Sequence, residues 1–266
     1  MNFERIEKLA KQAQNIIETQ LDCKLDVEFA FYTVETGPEI ARELRERINP
    51  GRWEEKFETK EYYASLGAEA VVGPEKNAIL VRTDTDFDDY LMLHVLLHEF
   101  SHIFLIRNEY LNGEDFYDSF CRDSDDANVI SGYSIWREYA AEVLARGLDP
   151  LYRYSSISKE SKTIKAGLKN INSVGSVEEQ GRIVTDMLTT VMTSASFYRA
   201  KDWDEFQQTC SRYLPMDIVG NIVKLVYDHM RREGVPFWKI NEDFIADLGF
   251  DYGFVLIRMQ LVGLKK

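Results

Sequence analysis

Cysteine is sparse: Cys23, Cys121 and Cys210 are odd in number and scattered along 266 residues. No two of them form a C-x-x-C pair, which points away from both a disulfide framework and a cysteine-ligated zinc site. A surplus of positive charge is missing too. With 32 Lys and Arg against 45 Asp and Glu, the net charge is −13. No broad phosphate-binding face is expected, so neither nucleic acid nor an anionic membrane surface is a natural partner. No run approaches the roughly 20 apolar residues that span a bilayer. The best candidate, FVLIRMQLVGL near the end, is short and interrupted by Arg258. The opening MNFERIEKLAKQAQ is charged within its first five residues and has no apolar core, so no signal peptide is expected and the protein reads as cytoplasmic. Repeats and low-complexity tracts are absent. Histidine is scarce as well, with four in the chain, and three of them fall between positions 94 and 102.

What is present is an ordinary globular balance, 45% hydrophobic and 29% charged, in a length that suits one large domain or two modest ones. Residues 3–21 carry apolar positions at helical spacing, whereas Leu25–Val34 alternates and reads as a strand. Residues 38–47 form a polar surface helix. The arms 69–72 and 78–82 flank a turn-rich Gly-Pro-Glu-Lys-Asn spacer and predict a hairpin. Asp86 is placed to cap a helix whose apolar run, Leu91–Ile106, marks it as buried. An acidic loop is expected over 108–130, then a helix from Ser134 to about Arg146, ended by Gly147 and Pro150. Beyond it the chain reads as helical, over 158–170, 178–200, 202–212, 216–232 and 241–262. The expected plan is α+β: residues 1–150 hold a small mixed sheet and the functional helices, and residues 151–266 form an all-helical region that packs on them as one wall of a cleft.

Residues 98–102 read His-Glu-Phe-Ser-His, the H-E-x-x-H pattern. On a helix, two histidines four apart project from one face, and both imidazoles reach a single ion. Neutral imidazole suits Zn²⁺, which in catalytic sites takes three protein ligands and leaves a position for water. That water is acidified to a pKa of about 7, and Glu99 is placed to take its proton as general base. With 4 histidines and 25 glutamates, chance produces the pentapeptide on the order of once in 200 such chains. The bland alternative, two satisfied core histidines, leaves a buried Glu between them without a partner.

Glu138 and Glu142 stand four apart on the next helical segment, which is otherwise apolar. Glu138 is read as the third zinc ligand and Glu142 as the group that orients a ligand histidine. Two alternatives stay open: the two carboxylates exchange roles, or both lie on the solvated edge of an amphipathic helix. His98-Glu99-x-x-His102 followed by Glu138-x-x-x-Glu142 resembles the gluzincin class of zinc metallopeptidases. Within that class, Glu138-Tyr-Ala-Ala-Glu142-Val-Leu-Ala is similar to the glutamate helix of ImmA/IrrE-type bacterial metallopeptidases. The resemblance implies a zincin-like fold for the N-terminal half, with an active-site helix and a glutamate helix. It also implies Zn²⁺ as the cofactor and a peptide or protein substrate lying along an edge strand near Ala78–Arg82.

His94, one turn before His98, is read as a packed core histidine, with a supporting role beside the metal as the alternative. His229 is read as a surface histidine near a helix end. Tyr133 and Tyr252 are candidates for steadying the oxyanion, the role that the resemblance leaves to a Tyr or His. The function expected is amide hydrolysis by zinc-activated water. The alternative is a zinc-binding regulatory or scaffold protein that keeps the peptidase-like fold without turnover.

Overall fold

The structure is a computed structural model. It describes residues 3–51, 55–109, 121, 124, 126–149, 162, 165–166, 183, 185, 188–189, 202–212 and 215–263, with side chains as far as Arg258 in the last helix. Most of the expected acidic loop and of the helices expected over 158–170 and 178–200 lies outside these residues. Among them the fold is α+β, with eight α-helices and a three-stranded mixed sheet. In chain order the elements are α1 (Phe3–Gln20), β1 (Val27–Tyr32), α2 (Gly37–Ile48), α3 (Lys60–Ser65), β2 (Ala68–Val72), β3 (Asn77–Arg82), α4 (Asp89–Asn108), α5 (Ala127–Leu148), α6 (Trp203–Cys210), α7 (Met216–Met230) and α8 (Glu242–Gly263). No helix among the described residues is long and apolar enough to cross a membrane. The chain divides into two compact units, Met1–Leu105 with Leu144–Tyr152, and Ile106–Val143 with Arg153–Lys266; the division passes through α4 and α5.

In the first unit the sheet order is β1-β3-β2. β3 runs parallel to β1 and antiparallel to β2, so the expected hairpin forms, with Ala70 opposite Ile79. The central strand is therefore Ala78–Arg82, and the expectation that this segment is the sheet edge is wrong; β2 holds that place. The reason is visible in burial. Ala78, Ile79, Leu80 and Val81 are all buried, as a strand covered on both faces requires, while β2 is buried only at Ala68 and Val71. One face of the sheet builds a core of Tyr32, Val71, Ala78 and Leu80 against Ala41, Leu44 and Ile48 of α2 and Tyr63 of α3. On the other face Phe29 meets Phe100 of α4 edge-on at 5.9 Å, and Phe31 meets Phe3 of α1 at 4.6 Å. α1 presents Ile6, Leu9, Ala10, Ala13 and Ile17 as one buried stripe.

The cap of α4 is Asp88 rather than the expected Asp86. The Asp88 side chain accepts the Leu91 N–H at 2.8 Å, and its carbonyl accepts the Met92 N–H at 3.0 Å. Ten residues of α4, from Met92 to Leu105, are buried, in keeping with its nearly all-round apolar sequence.

In the second unit α5 begins seven residues before the expected Ser134. Asp126 caps it by accepting the Asn128 N–H at 2.8 Å. Two glycines mark a close helix crossing there. A Cβ on Gly132 would lie 2.0 Å from the Ile245 carbonyl, and one on Gly249 would lie 1.8 Å from the Asn128 carbonyl. Trp136 of α5 is fully buried, edge-on to His229 of α7 and to Phe244 of α8. Trp203 and Phe206 of α6 close on Tyr227 of α7.

Candidate metal centre

α4 carries the histidine pair. Four residues advance an α-helix by little more than one turn, and His98 and His102 accordingly bring their Nε2 atoms to 3.0 Å. Their rings stand nearly perpendicular, 4.7 Å between centroids. His102 is buried and His98 half-buried. Between and beside them, Phe100, Ser101 and Ile103 are fully buried, and the Ser101 hydroxyl donates to the Leu97 carbonyl at 2.7 Å. The helix is thus pinned by its apolar residues, and the two Nε2 atoms converge because the turn between them is rigid.

The third group comes from α5. His98, His102 and Glu138 each offer one ligand atom, and these atoms all lie within 4.8 Å of one another. Zinc at 2.0–2.1 Å from its donors keeps tetrahedral ligands about 3.3 Å apart, so a set spanning this range closes on an ion with small side-chain adjustments. Two imidazoles and one carboxylate form a donor set able to hold a divalent transition-metal ion, Zn²⁺ among them, and His98 and Glu138 are half-buried. The residues fit a metal ion of this class, and Zn²⁺ is compatible with them. Glu142 is half-buried one turn further along α5 and does not belong to that group.

Glu99 is half-buried on the same helix, and its Oε2 accepts the Ala70 backbone N–H at 2.7 Å. The position of that N–H follows from the ladder. The Arg82 N–H donates to the Gly67 carbonyl, and paired residues in an antiparallel ladder alternate between bonded and unbonded. Ala70, opposite Ile79, falls on an unbonded pair, so its N–H points away from β3 on the open side of the edge strand. The general-base candidate is therefore tied to the edge of the sheet. That link was missed in the sequence, although the contiguous Ala-Ile-Leu-Val of β3 signals a central strand and so makes β2 the edge.

The remaining candidates divide. His94 has its Nδ1 3.4 Å from Oδ2 of Asp149, whose side chain is fully buried; this agrees with a packed histidine and adds a carboxylate partner. His229 is a correction, for it is buried rather than on the surface. Its Nε2 donates to the Phe237 carbonyl at 2.7 Å, and its ring stacks on Phe244 at 3.8 Å. Burial, reinforced by the Arg232 guanidinium, lowers its pKa to about 4, so the ring is neutral at pH 7. The Tyr133 hydroxyl is buried and donates to the Glu109 carboxylate, and the Tyr252 hydroxyl lies 3.3 Å from that of Thr185. Both candidate tyrosines thus have partners within the second unit. Glu109 also anchors the chain through its carbonyl, which accepts the Ile240 N–H at 2.7 Å.

No protein-family model matches the chain, and neither a curated protein nor a solved structure matches it.

Proposed function

We propose that this protein is a zinc-dependent metallopeptidase of the gluzincin kind, similar to the ImmA/IrrE-type enzymes, and that it hydrolyses an amide bond in a peptide or protein. The observation that carries the reading is the convergence of His98, His102 and Glu138 donor atoms within 4.8 Å, with the Glu99 carboxylate held beside the open edge of β2. His98, His102 and Glu138 hold the metal. When bound, zinc supplies Lewis acidity, lowering the pKa of a coordinated water to about 7 and polarising the scissile carbonyl.

The protein's own part falls mainly to Glu99. Its carboxylate takes a proton from the attacking water and gives it to the departing amine nitrogen, and the Ala70 N–H keeps it oriented between the two transfers. An extended substrate lies beside β2, where the outward C=O of Ala70 offers an acceptor to a further strand while its N–H holds Glu99. His94, restrained by Asp149 one turn before His98, stiffens the helix that presents the ligands.

The test is cleavage of a peptide library by the zinc-loaded protein, with and without a chelator, for the wild type and Glu99→Gln. Cleavage is expected to be abolished by the chelator. In Glu99→Gln it falls by about 10²–10⁴-fold while zinc stays bound, since that is the usual contribution of a general base. Undiminished turnover in Glu99→Gln refutes the assignment of the base, and no cleavage of any peptide by the zinc-loaded wild type refutes the peptidase reading.

A further inference from the structure

The last helix carries a surface that the described residues of its own unit leave uncovered. α8 turns Phe244, Ile245, Leu248 and Val255 inward, where they are buried. Asp243, Asp247, Phe250, Phe254, Ile257 and Arg258 are exposed, spaced by three and four so that they form one row. Phe250, Phe254 and Ile257 are 66%, 43% and 58% exposed. Single exposed apolar residues are ordinary, but three in succession along one helix face form a contiguous patch.

Charge reverses along this row. Two aspartates precede the apolar centre and Arg258 follows it. Among the described residues none of Asp243, Asp247 and Arg258 makes an ion pair; the Arg258 guanidinium leans over the Phe254 ring at 5.8 Å and reaches the Asp217 carbonyl at 3.5 Å. A row that is acidic at one end, apolar in the middle and basic at the other complements itself when turned about a two-fold axis. With the axis crossing the exposed row at the level of Tyr252, Phe250 faces Phe254 of the second copy. Arg258 and the second copy's Asp247 then stand six and five residues from the centre, within about 1.5 Å of the same level. A parallel pairing would set aspartate against aspartate and arginine against arginine.

Gly253 supplies an independent observation. It sits inside α8, three residues from Phe250 and four from Ile257, where glycine weakens a helix relative to alanine. Gly249, one turn earlier, is required by the Asn128 carbonyl, but a Cβ on Gly253 would meet nothing within 4 Å. Among the described residues nothing beside Gly253 calls for a glycine, whereas the close approach of another helix does.

We propose that the exposed face of α8 pairs antiparallel with the same face of a second copy of this chain. Phe250 and Phe254 of both copies meet at the centre, and Arg258 of each lies against Asp247 of the other. One helix face is smaller than the roughly 800 Å² per partner of a standard stable interface, so the dimer is weak, with a Kd on the order of 10–100 µM. The inference does not depend on the metal centre.

Sedimentation velocity of the full chain, from about 1 µM to several hundred µM, reads this directly across the expected Kd. A monomer–dimer equilibrium is expected. Phe254→Glu and Gly253→Gln each weaken it at least about tenfold, as loss of a central interface contact does, while leaving the circular dichroism spectrum unchanged. Asp247→Arg and Arg258→Asp each weaken it as well, and the double variant Asp247→Arg/Arg258→Asp restores it, because the charges are exchanged in both copies at once. A monomer at every concentration overturns the proposal, including the case in which the face binds lipid vesicles instead. A dimer that the double exchange fails to restore overturns the α8 pairing.

Discussion

His229 shows at residue scale what burial does to a titratable group. Its ring is held neutral between Phe244 and Trp136, with a pKa of about 4 against an ordinary value near 6.5. In the unfolded chain it takes up a proton as the pH falls through 6.5, whereas in the folded protein it does so only near 4. The stabilisation is therefore complete above pH 6.5 and is lost as the pH falls towards 4. Between pH 7 and 4.5 the loss amounts to about 2–3 kcal/mol, visible as a fall in the urea midpoint. His229→Gln, which keeps a donor for the Phe237 carbonyl, is expected to flatten that dependence. A second residue-scale prediction concerns Glu69 on β2, which is paired with Arg45 of α2 and accepts the Tyr62 hydroxyl at 2.8 Å. Both partners are largely buried, so Glu69→Ala leaves the Arg45 charge without its carboxylate and lowers stability by about 3 kcal/mol in denaturant titration. Neither environment is legible in the sequence. A histidine in Asp-His-Met-Arg-Arg reads as exposed because its neighbours are charged, and the elements that bury it, around Phe237 and Phe244, are distant in pattern though near in sequence. The approach of His98 to His102 was legible because one helical turn dictates their spacing.

At the scale of elements, glycine separates packing from tolerance on α8. Gly249→Ala drives a methyl group into the Asn128 carbonyl and is expected to cost more than 2 kcal/mol, or to force α5 and α8 apart. Gly253→Ala meets open space and is expected to raise the stability of the monomer by about 0.5–1 kcal/mol. Thermal melts of the two variants at low protein concentration compare them directly, and equal effects would contradict the assignment of Gly249 to a close contact. The same residues explain where the elements were readable. The strands and most helices follow from alternation and helical spacing, and α1, α7 and α8 begin and end within a few residues of the expected limits. The early start of α5 was hidden because Asn128, Ser131 and Gly132 resemble a loop. Gly132 is there for the crossing with α8, a reason that lies outside its own segment. β3 was misplaced at the sheet edge because hairpin pairing alone leaves either arm central. The parallel pairing of β1 with β3 settles the order, and such a long-range choice leaves its trace only in how evenly a strand is buried.

At the scale of the whole molecule, side chains from separate parts of the sequence carry the proposed chemistry. α4 brings the histidines and Glu99, and α5 brings Glu138, so the donor set forms only in the folded chain. A ligand that binds the folded form alone raises its stability, by about 4 kcal/mol when present at a thousand times its Kd. Zinc is therefore expected to raise the melting temperature and a chelator to lower it. The net charge of −13 adds nothing to this chemistry and bears only on solubility and association, whereas the few histidines, three of them within nine residues, were the most informative part of the composition. The central claim is tested most directly by the metal content of the purified protein, measured by mass spectrometry beside Glu138→Ala. The account predicts about one zinc per wild-type chain, as a three-residue site requires, and a large loss of zinc in the variant, whose circular dichroism spectrum stays that of the wild type. A wild-type protein without stoichiometric zinc after exposure to the metal, or a Glu138→Ala variant that retains it fully, would contradict it.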